Sequence, residues 1–271
     1  MAITTLDGLI AGSAPPVSFL KSSQTAEGAG TWHSLFLVAG YPGAGSAPPA
    51  YTAGSGYACT NSTVGALPFT NPVSGETRLV KLAVAGSTIG TVILYDRLWT
   101  CSGFNTTTTT AQSVTTPGTI PARDDDGTTT GKGVQIWGEI YTAPGATGAT
   151  WTVSYTNTAG TSGRTATYTH PANAESVGQM FPFTLQAGDI GVQSVQSLTC
   201  SVSSGTAGSL GITLLRRIAT APMLVVNIAT ILDAMALGTP RIFNSSCLAL
   251  MVQCSTTNTG TVAGEIAWAQ G

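Results

Sequence analysis

Charged residues are scarce in this sequence. Lys, Arg, Asp and Glu make up 8% of its 271 residues, and the formal net charge is −2, whereas an average soluble domain carries about 25% charged residues. The ten Lys and Arg residues are scattered along the chain rather than gathered in stripes. Because no basic field exists to attract phosphate groups, the composition predicts a protein that binds neither nucleic acid nor an anionic membrane surface.

Long apolar runs are also missing. No run reaches the roughly 18 residues that a membrane-spanning helix needs. The N-terminal stretch MAITTLDGLIAGSAPP has no basic segment ahead of its apolar residues and carries Asp7, unlike a secretory signal. We therefore expect a protein that is made in the cytoplasm and has no membrane partner.

Cysteines are few and their spacing does not favour pairing. The five cysteines include no CxxC motif. Cys200 lies on the apolar side of the alternating stretch LTCSV, where a buried thiol is expected. Cys247 and Cys254 flank one predicted strand and would lie roughly 20 Å apart, too far for a disulfide. We expect buried free thiols rather than a disulfide framework.

Catalytic signatures are absent as well. The only histidines are His33 and His170, each among polar residues of a predicted strand or loop, where a surface side chain is expected. No GxSxG motif occurs, and no two carboxylates stand at a spacing that suggests acid–base catalysis. The sequence therefore predicts a protein that is not an enzyme and needs no cofactor.

What the sequence does contain is the pattern of β-strands. Apolar residues alternate with polar or small ones in several stretches, as half-buried strands require. Two such sets are Val80, Leu82 and Val84, and Leu198, Cys200 and Val202. Each set is followed by a loop of Gly, Ser and Thr and by a second apolar run, which predicts a hairpin. The fold class is therefore predicted to be all-β with antiparallel sheets.

Only two segments favour helices. LDGLIAG (6–12) and LDAMALG (232–238) are short, and each ends at a glycine. The last hairpin is predicted to place Val262, Ile266 and Trp268 on one face. One or two short helices and many strands joined by long Gly- and Thr-rich loops are the expected elements.

Phrases of the sequence recur in the same order in its two halves. LFLVAGYPGAG (35–45) resembles EIYTAPGATG (139–148), and ALPFT (66–70) resembles MFPFT (180–184). A third pair, YDRLW and LLRRI, follows in each half. Ordered similarities of this kind indicate a duplicated structural unit.

We therefore predict two related antiparallel β-sandwich units with jelly-roll or Greek-key-like topology. The first unit is expected over residues 1–110, with residues before Trp32 serving as an N-terminal arm. The second is expected over 111–271, and a Thr-rich connector over 106–132 is expected to join the two.

The most charged stretch of the chain is ARDDDGTTTGKG, residues 122–133. As an EF-hand-like calcium loop it places Asp124 and Asp126 at ligand positions but lacks the bidentate acid at its end. As a phosphate-binding loop it lacks the first glycine and the terminal hydroxyl. A solvated connector that faces a partner is the favoured interpretation, and a weak surface Ca²⁺ site at Asp124 and Asp126 stays the alternative.

Charged residues at corresponding places in the two halves are candidates for contacts with a partner subunit. Asp96 and Arg97 end one repeated strand, and Arg216 and Arg217 end the other. An ion pair or a domain edge is the ordinary role of such residues. The candidate interface set is Asp96, Arg97, Arg123, Asp124, Asp125, Asp126, Arg216 and Arg217.

Five tryptophans stand near predicted strand or loop ends. Aromatic residues in such places pack in the core, anchor protein interfaces or stack on sugars. The five are Trp32, Trp99, Trp137, Trp151 and Trp268.

Several phrases taken together resemble virion proteins of tailed bacteriophages that are encoded among head genes. The phrases are WHSLFLVAGYPGAG, ALPFTNP, LYDRLWTCSGF and GEIYTAPGATGATWTVSYTNTAGTSGRTA. The resemblance covers most of the chain and implies a structural virion protein of the head decoration or cement type. Its partner would be the major capsid protein, and a homotrimer would match a local symmetry axis of a capsid. A neck, tail or fibre-associated protein and a carbohydrate-binding β-sandwich are the alternatives.

Overall fold

The computed structural model describes residues 3, 5–24, 27–52, 56–115, 118–173, 175–257 and 260–271. Nearly all regular structure in these ranges is β, which confirms the predicted fold class. The strands are β1 (Val17–Ser22), β2 (Trp32–Ser34), β3 (Gly40–Tyr41), β4 (Tyr57–Ala58), β5 (Thr77–Gly86), β6 (Gly90–Asn105), β7 (Gln112–Ser113), β8 (Val134–Thr142), β9 (Ala149–Asn157), β10 (Arg164–His170), β11 (Gln179–Pro182), β12 (Val192–Cys200), β13 (Ser209–Met223), β14 (Thr230–Leu232), β15 (Arg241–Ile242), β16 (Leu248–Cys254) and β17 (Thr261–Gln270).

Two short helices occur at the predicted places, α1 (Leu6–Ala11) and α2 (Ala234–Leu237). The Thr5 side chain accepts a hydrogen bond from the Gly8 amide and begins α1, and Asp233 caps α2 through the Ala236 amide. Gly238 ends α2 with a left-handed φ of 68°, which glycine adopts without a steric penalty. Neither of these helices is long and apolar enough to cross a membrane.

The chain divides into two compact units that are interleaved in sequence. Unit 1 consists of Met1–Ser46, Thr60–Asp96 and Arg217–Gly271, and unit 2 of Ala47–Cys59 and Arg97–Arg216. The repeated phrases predict two related units over residues 1–110 and 111–271, and that relationship stays a prediction. The division of the chain by contacts instead falls between Asp96 and Arg97 in β6 and between Arg216 and Arg217 in β13.

Unit 1 has a β-sandwich core. One sheet has the order β14-β5-β17-β1-β3, with β15 also pairing β5, and β16 pairs with β2 and with the first half of β6. Apolar side chains of both layers meet in one cluster, for example Phe19 and Leu82 with Leu250 and Val252. The predicted face of the last hairpin is confirmed, because its residues Val262, Ile266 and Trp268 are buried there.

One strand of unit 1 departs from its predicted alternation. Leu82 and Val84 are buried, but Val80 is half-buried and Leu79 takes its place in the core. The pairing of β17 with β5 shifts at this point, since Ala267 is opposite Lys81 and Trp268 is opposite Leu79. A β-bulge therefore leaves Val80 without an opposite residue and turns it out of the core.

The predicted N-terminal arm is shorter than expected. Residues 17–22 form β1, which pairs with β17 on one side and β3 on the other. A strand in that position belongs to the sheet, so the arm interpretation is wrong for these residues. Residues 1, 2, 4, 25 and 26 of the predicted arm lie outside the described residues.

Unit 2 is a second sandwich. One sheet has the order β10-β9-β12-β7, and the other layer contains β8 between β11 and the first part of β13. Trp151 and Val153 of β9 pack with Leu198 of β12 and Ile212 of β13 in its core. The core of unit 2 also contains Cys200, as predicted, whereas Val202 lies beyond the end of β12 and is exposed.

The cysteines are buried throughout the chain. Cys101, Cys200 and Cys254 are free thiols, as expected from their spacing. Burial raises the pKa of Cys200 and of Cys254 to about 11, so both stay protonated at neutral pH. These thiols behave as small apolar side chains.

Candidate functional site

The charged stretch at residues 122–133, called the Asp124 loop below, is built around one buried carboxylate. Asp124 has no exposed surface. Its Oδ1 accepts hydrogen bonds from the amides of Asp126 at 3.1 Å and Thr128 at 2.6 Å. Its Oδ2 accepts from the hydroxyls of Thr128 at 2.7 Å and Thr130 at 2.9 Å, and from the Gly131 amide at 2.9 Å. The carboxylate thus organises the turn that contains it.

This arrangement stabilises the anion without a metal. Burial alone would raise the pKa of Asp124, but the hydrogen bonds from Thr128, Thr130 and Gly131 outweigh it and hold the pKa below its usual value. Both oxygens accept from N–H and O–H donors, which occupy the lone pairs a Ca²⁺ ion would need. Among the residues that the structure describes, no three metal-ligating side chains converge. This geometry disfavours the Ca²⁺ alternative.

The two neighbouring aspartates are exposed, as a connector would have them. Asp126 forms an ion pair with Lys132 at 2.9 Å across the mouth of the turn. Although Asp125 is exposed as a residue, partial burial of its carboxyl raises its pKa, and the positive charge of Arg216 opposes that rise. The solvated interpretation thus fits Asp125 and Asp126 but is wrong for Asp124, whose hydrogen bonds draw it inside.

Arg97 belongs to a buried polar cluster in unit 2. Its guanidinium pairs with Glu139 at 2.7 Å and donates to the hydroxyl of Tyr141 at 2.9 Å, and both charged side chains have no exposed surface. The Thr100 hydroxyl lies 3.1 Å from both Arg97 and Thr213. Burial, with the charge of Glu139, raises the pKa of Tyr141 well above its usual value. Removing either charge would leave the other buried and uncompensated.

Asp96 and Arg123 are also buried and bind inside their own units. Asp96 accepts hydrogen bonds from the Ser246 hydroxyl at 2.7 Å and the Cys247 amide at 2.9 Å. Arg123 donates to the Cys59 carbonyl at 2.6 Å. Both therefore serve as internal links between strands and loops.

Arg216 and Arg217 differ although they are adjacent. Arg216 is buried, whereas Arg217 is exposed and donates to the Thr220 hydroxyl at 2.8 Å. The interface role stays a prediction for the whole candidate set. In the isolated chain only Asp125, Asp126 and Arg217 of that set present their side chains to solvent.

Both histidines are buried, so their expected surface location is wrong. Burial lowers the pKa of His33 to about 4, and its Nε2 accepts a hydrogen bond from the Gly28 amide. His170 stacks on Trp151 with ring centroids 4.5 Å apart, and its Nδ1 lies 3.2 Å from a Glu175 carboxylate oxygen. Neither ring is placed to reach a substrate from solvent.

The Gly- and Pro-rich stretch after β2 is organised by a buried lysine. The Lys21 ammonium donates to the carbonyl oxygens of Pro42 at 2.7 Å and of Val38 and Gly43 at 3.3 Å each. Burial lowers the pKa of Lys21 to about 8. The loop is therefore a structural turn, as its prolines predict.

The most unusual surface of the molecule lies in residues 224–235 of unit 1, called the apolar segment below. Six of its large apolar side chains are exposed, and Met235 reaches 89%. They are Leu224, Val225, Val226, Ile228, Ile231 and Met235. The segment is held in place by its backbone, because the Asn227 amide donates to the Gly86 carbonyl and β14 pairs with β5. Its only charged residue, Asp233, caps α2.

The amino-acid sequence gives little sign of this surface. An apolar run such as LVVNIATIL is ordinarily buried. Its sequence does not indicate which side chains face solvent. The available signal was the absence of two-residue alternation, since a half-buried strand would have shown it. An apolar surface of this extent is unusual on a soluble monomer.

A cavity of about 430 Å³ adjoins the apolar segment. Its lining includes Ile89, Thr91, Met223, Leu224, Gln253 and Cys254, all from unit 1. The described residues around it carry no charge, so it suits an apolar side chain better than an ion or a sugar.

The tryptophans are mostly internal. Four of them, Trp99, Trp137, Trp151 and Trp268, are buried, and Trp32 is half-buried. A stacking platform for a sugar needs an exposed ring face. Of the three roles considered for the tryptophans, packing in the core is the one that the four buried side chains have.

No protein-family model matches the chain, and no curated protein matches it. Among solved structures it is similar to VP2 in the subviral particle of infectious bursal disease virus, at 11% identity over 100% of this chain and 83% of that chain, with a TM-score of 0.23. A mutant VP2 of that virus in derived T=1 particles matches at 9% identity over 95% of this chain and 78% of that chain, with a TM-score of 0.19. This likeness to a viral capsid protein is distant, and TM-scores this low carry no argument about activity.

Proposed function

We propose that this chain is a structural virion protein that binds the outer surface of a phage capsid and stabilises it as a decoration or cement protein. The observation that carries the proposal is the direction of its side chains. Most of the charged groups singled out in the sequence are engaged inside the chain, whereas the apolar segment is uncovered. A protein whose exposed chemistry is apolar and uncharged is suited to binding another protein surface.

The partner in this proposal is the major capsid protein, and the protein acts without catalysis, cofactor, nucleic acid or membrane. The buried histidines and the self-satisfied Asp124 loop support a non-catalytic role. Stiff sandwiches joined by Gly- and Thr-rich loops suit a protein that follows the surface of a capsomer. A trimer would place three such surfaces around a local three-fold axis of the capsid.

The direct test is to map and count the protein in intact particles. We expect density on the outer capsid surface and hundreds of copies per virion, because decoration proteins occupy repeated lattice positions. A copy number in the tens, at a single vertex, would assign it to a neck, tail or fibre. Absence from purified particles would contradict any virion role.

A binding assay tests the surface itself. Purified protein is mixed with particles that lack it, and co-sedimentation is measured for the double variant Ile228→Asp, Ile231→Asp. We expect binding to fall at least about tenfold, because two exposed apolar contacts become charged. The control is Val64→Asp, an exposed apolar residue of unit 1 outside the apolar segment. If the double variant bound particles as well as Val64→Asp, the apolar segment would not be the surface that binds the capsid.

A further inference from the structure

The first helix presents an apolar face that the described residues of the chain leave exposed. Leu6 and Ile10 stand four residues apart, so their side chains project from the same face of α1. They are 69% and 64% exposed, and no residue of α1 is buried. The helix is nevertheless fixed in place, because the Gln270 amide donates to the Gly12 carbonyl at 2.8 Å. It is thus an anchored apolar projection rather than part of the core.

The cavity beside the apolar segment has the size and chemistry to receive that face. An apolar cavity of about 150 Å³ holds one benzene-sized group, so roughly 300 Å³ is enough for two aliphatic side chains. The cavity offers about 430 Å³, bounded by Ile89, Met223 and Leu224. Ile89 and Leu224 are themselves exposed, which extends the apolar contact beyond the cavity.

The helix and the cavity lie at opposite ends of the same sheet. β17 runs along β5 from Val262, opposite Gly86, to Gln270, opposite Thr77. Gly86 packs against the Met223 side chain at the cavity end, whereas Gln270 holds α1 at the other. Eight residues of extended strand span roughly 26 Å. The helix of one chain therefore cannot fill the cavity of that same chain.

We propose that α1 of one copy inserts Leu6 and Ile10 into the cavity beside Leu224 of a second copy, so that the chain associates with itself head to tail. The two surfaces match in size and in polarity, and the described residues on both carry only one charge, Asp7 at the edge of α1. Because the contact joins different surfaces of the two copies, it generates either a closed ring or an open chain. The trimer predicted from the sequence is one such closed ring.

This inference goes beyond the proposed function, because self-association needs no capsid. It is tested with the full-length protein by sedimentation velocity over a range of concentrations. The helix variant carries Leu6→Asp and Ile10→Asp, and the cavity variant carries Leu224→Asp. The control is Val73→Asp, a fully exposed residue of unit 1 outside both surfaces. Since every substituted side chain is exposed, thermal unfolding should match that of the native protein.

We expect the native protein and the control to associate. The helix variant and the cavity variant should each associate about 100-fold more weakly, because one loses the two aliphatic side chains and the other loses the apolar cavity that receives them. The decisive sample is an equimolar mixture of the helix and cavity variants. The helix variant keeps an intact cavity and the cavity variant keeps an intact helix, so the mixture should form a 1:1 dimer that cannot grow further.

Three results would overturn the proposal: a native protein that stays monomeric at every concentration, association that survives in the helix variant, or a mixture that stays monomeric. Association lost only in the cavity variant would assign the cavity to another segment and would likewise refute the role of α1. Capsid binding is measured separately on the same variants. Self-association without any capsid binding would refute the capsid-decoration role and leave this inference standing.

Discussion

The Asp124 loop and the apolar segment reverse the usual pattern in which charged side chains are exposed and apolar side chains are buried. The most charged stretch of the chain directs its central carboxylate inward, where backbone amides and threonine hydroxyls hold it. A strongly apolar stretch directs its side chains outward, while its backbone is bonded to β5 and Gly86. In these two places the charged side chain stabilises a turn inside the protein, and the apolar side chains face solvent.

Removing the carboxylate of Asp124 should have the largest effect on stability. Asp124→Ala leaves the amides of Thr128 and Gly131 without their acceptor. Hydrogen bonds to a charged group each contribute about 1.5–3 kcal/mol, so we expect a loss of about 3–5 kcal/mol in the free energy of unfolding. The measurement is denaturant unfolding monitored by tryptophan fluorescence. Asp126→Ala, on the exposed ion pair, is the control and should change stability little. Equal losses in both variants would show that the loop is merely solvated.

The second prediction concerns the backbone that surrounds the same carboxylate. Gly131 has a left-handed φ of +85°, and a Cβ there would lie 2.1 Å from the Val192 carbonyl oxygen. Gly160 has a similar φ of +77° but nothing within 4 Å of its Cβ position. Gly160→Ala should therefore cost about 1 kcal/mol of stability from φ strain alone. Gly131→Ala should cost at least about 3 kcal/mol, because the backbone itself must move.

Thermal or denaturant unfolding of the two glycine variants measures the difference directly. If Gly131→Ala were as stable as Gly160→Ala, the close packing of the Asp124 loop against Val192 would be incorrect.

The fold class could be predicted because alternation reports burial residue by residue. Leu198 and Cys200, for example, are both buried as their spacing requires. Val80 does not follow this alternation because a bulge adds one residue to β5. The sequence of neither strand shows where the pairing register shifts. Local pattern thus predicts strands well and predicts register only where pairing is regular.

The candidate site was harder to predict for a physical reason. The burial of Asp124 depends on a turn that brings the Thr128 and Gly131 amides toward it, and three consecutive aspartates look alike in sequence. The exposure of Ile231 depends on the absence of a covering layer at the edge of a sheet, which is a property of the whole fold. Charge suggested a solvated Asp124, and the sequence supported no prediction for Ile231.

The third prediction uses pH, because His170 is another polar group turned inward. Its ring lies between the Glu175 carboxylate and the Gly145 carbonyl. Burial alone would lower the pKa of His170, but these two acceptors outweigh it and raise the pKa. The folded state therefore binds a proton that the unfolded state releases. The stabilisation is complete below about pH 6.5 and is lost as the pH rises through the folded pKa.

Unfolding of the native protein and of His170→Gln across this range isolates the effect. The difference in stability between them should shrink as pH rises, and a constant difference would contradict the prediction. The comparison is needed because Lys21, whose pKa burial lowers to about 8, works in the other direction. Its depressed pKa makes stability rise between that value and the unfolded value near 10.5.

The smallest expected effect on stability is at the apolar segment. Ile231 of β14 is exposed, whereas Ile266 of β17 is buried in the core of unit 1. Ile231→Thr should change the free energy of unfolding by less than about 0.5 kcal/mol, as surface substitutions do. Ile266→Thr should cost at least about 2 kcal/mol, because it removes buried apolar volume and buries a hydroxyl. If Ile231→Thr were as costly, this side chain would contribute to the fold itself. A neutral result would show that the fold does not need the isoleucine, as the contact proposed for the apolar segment requires.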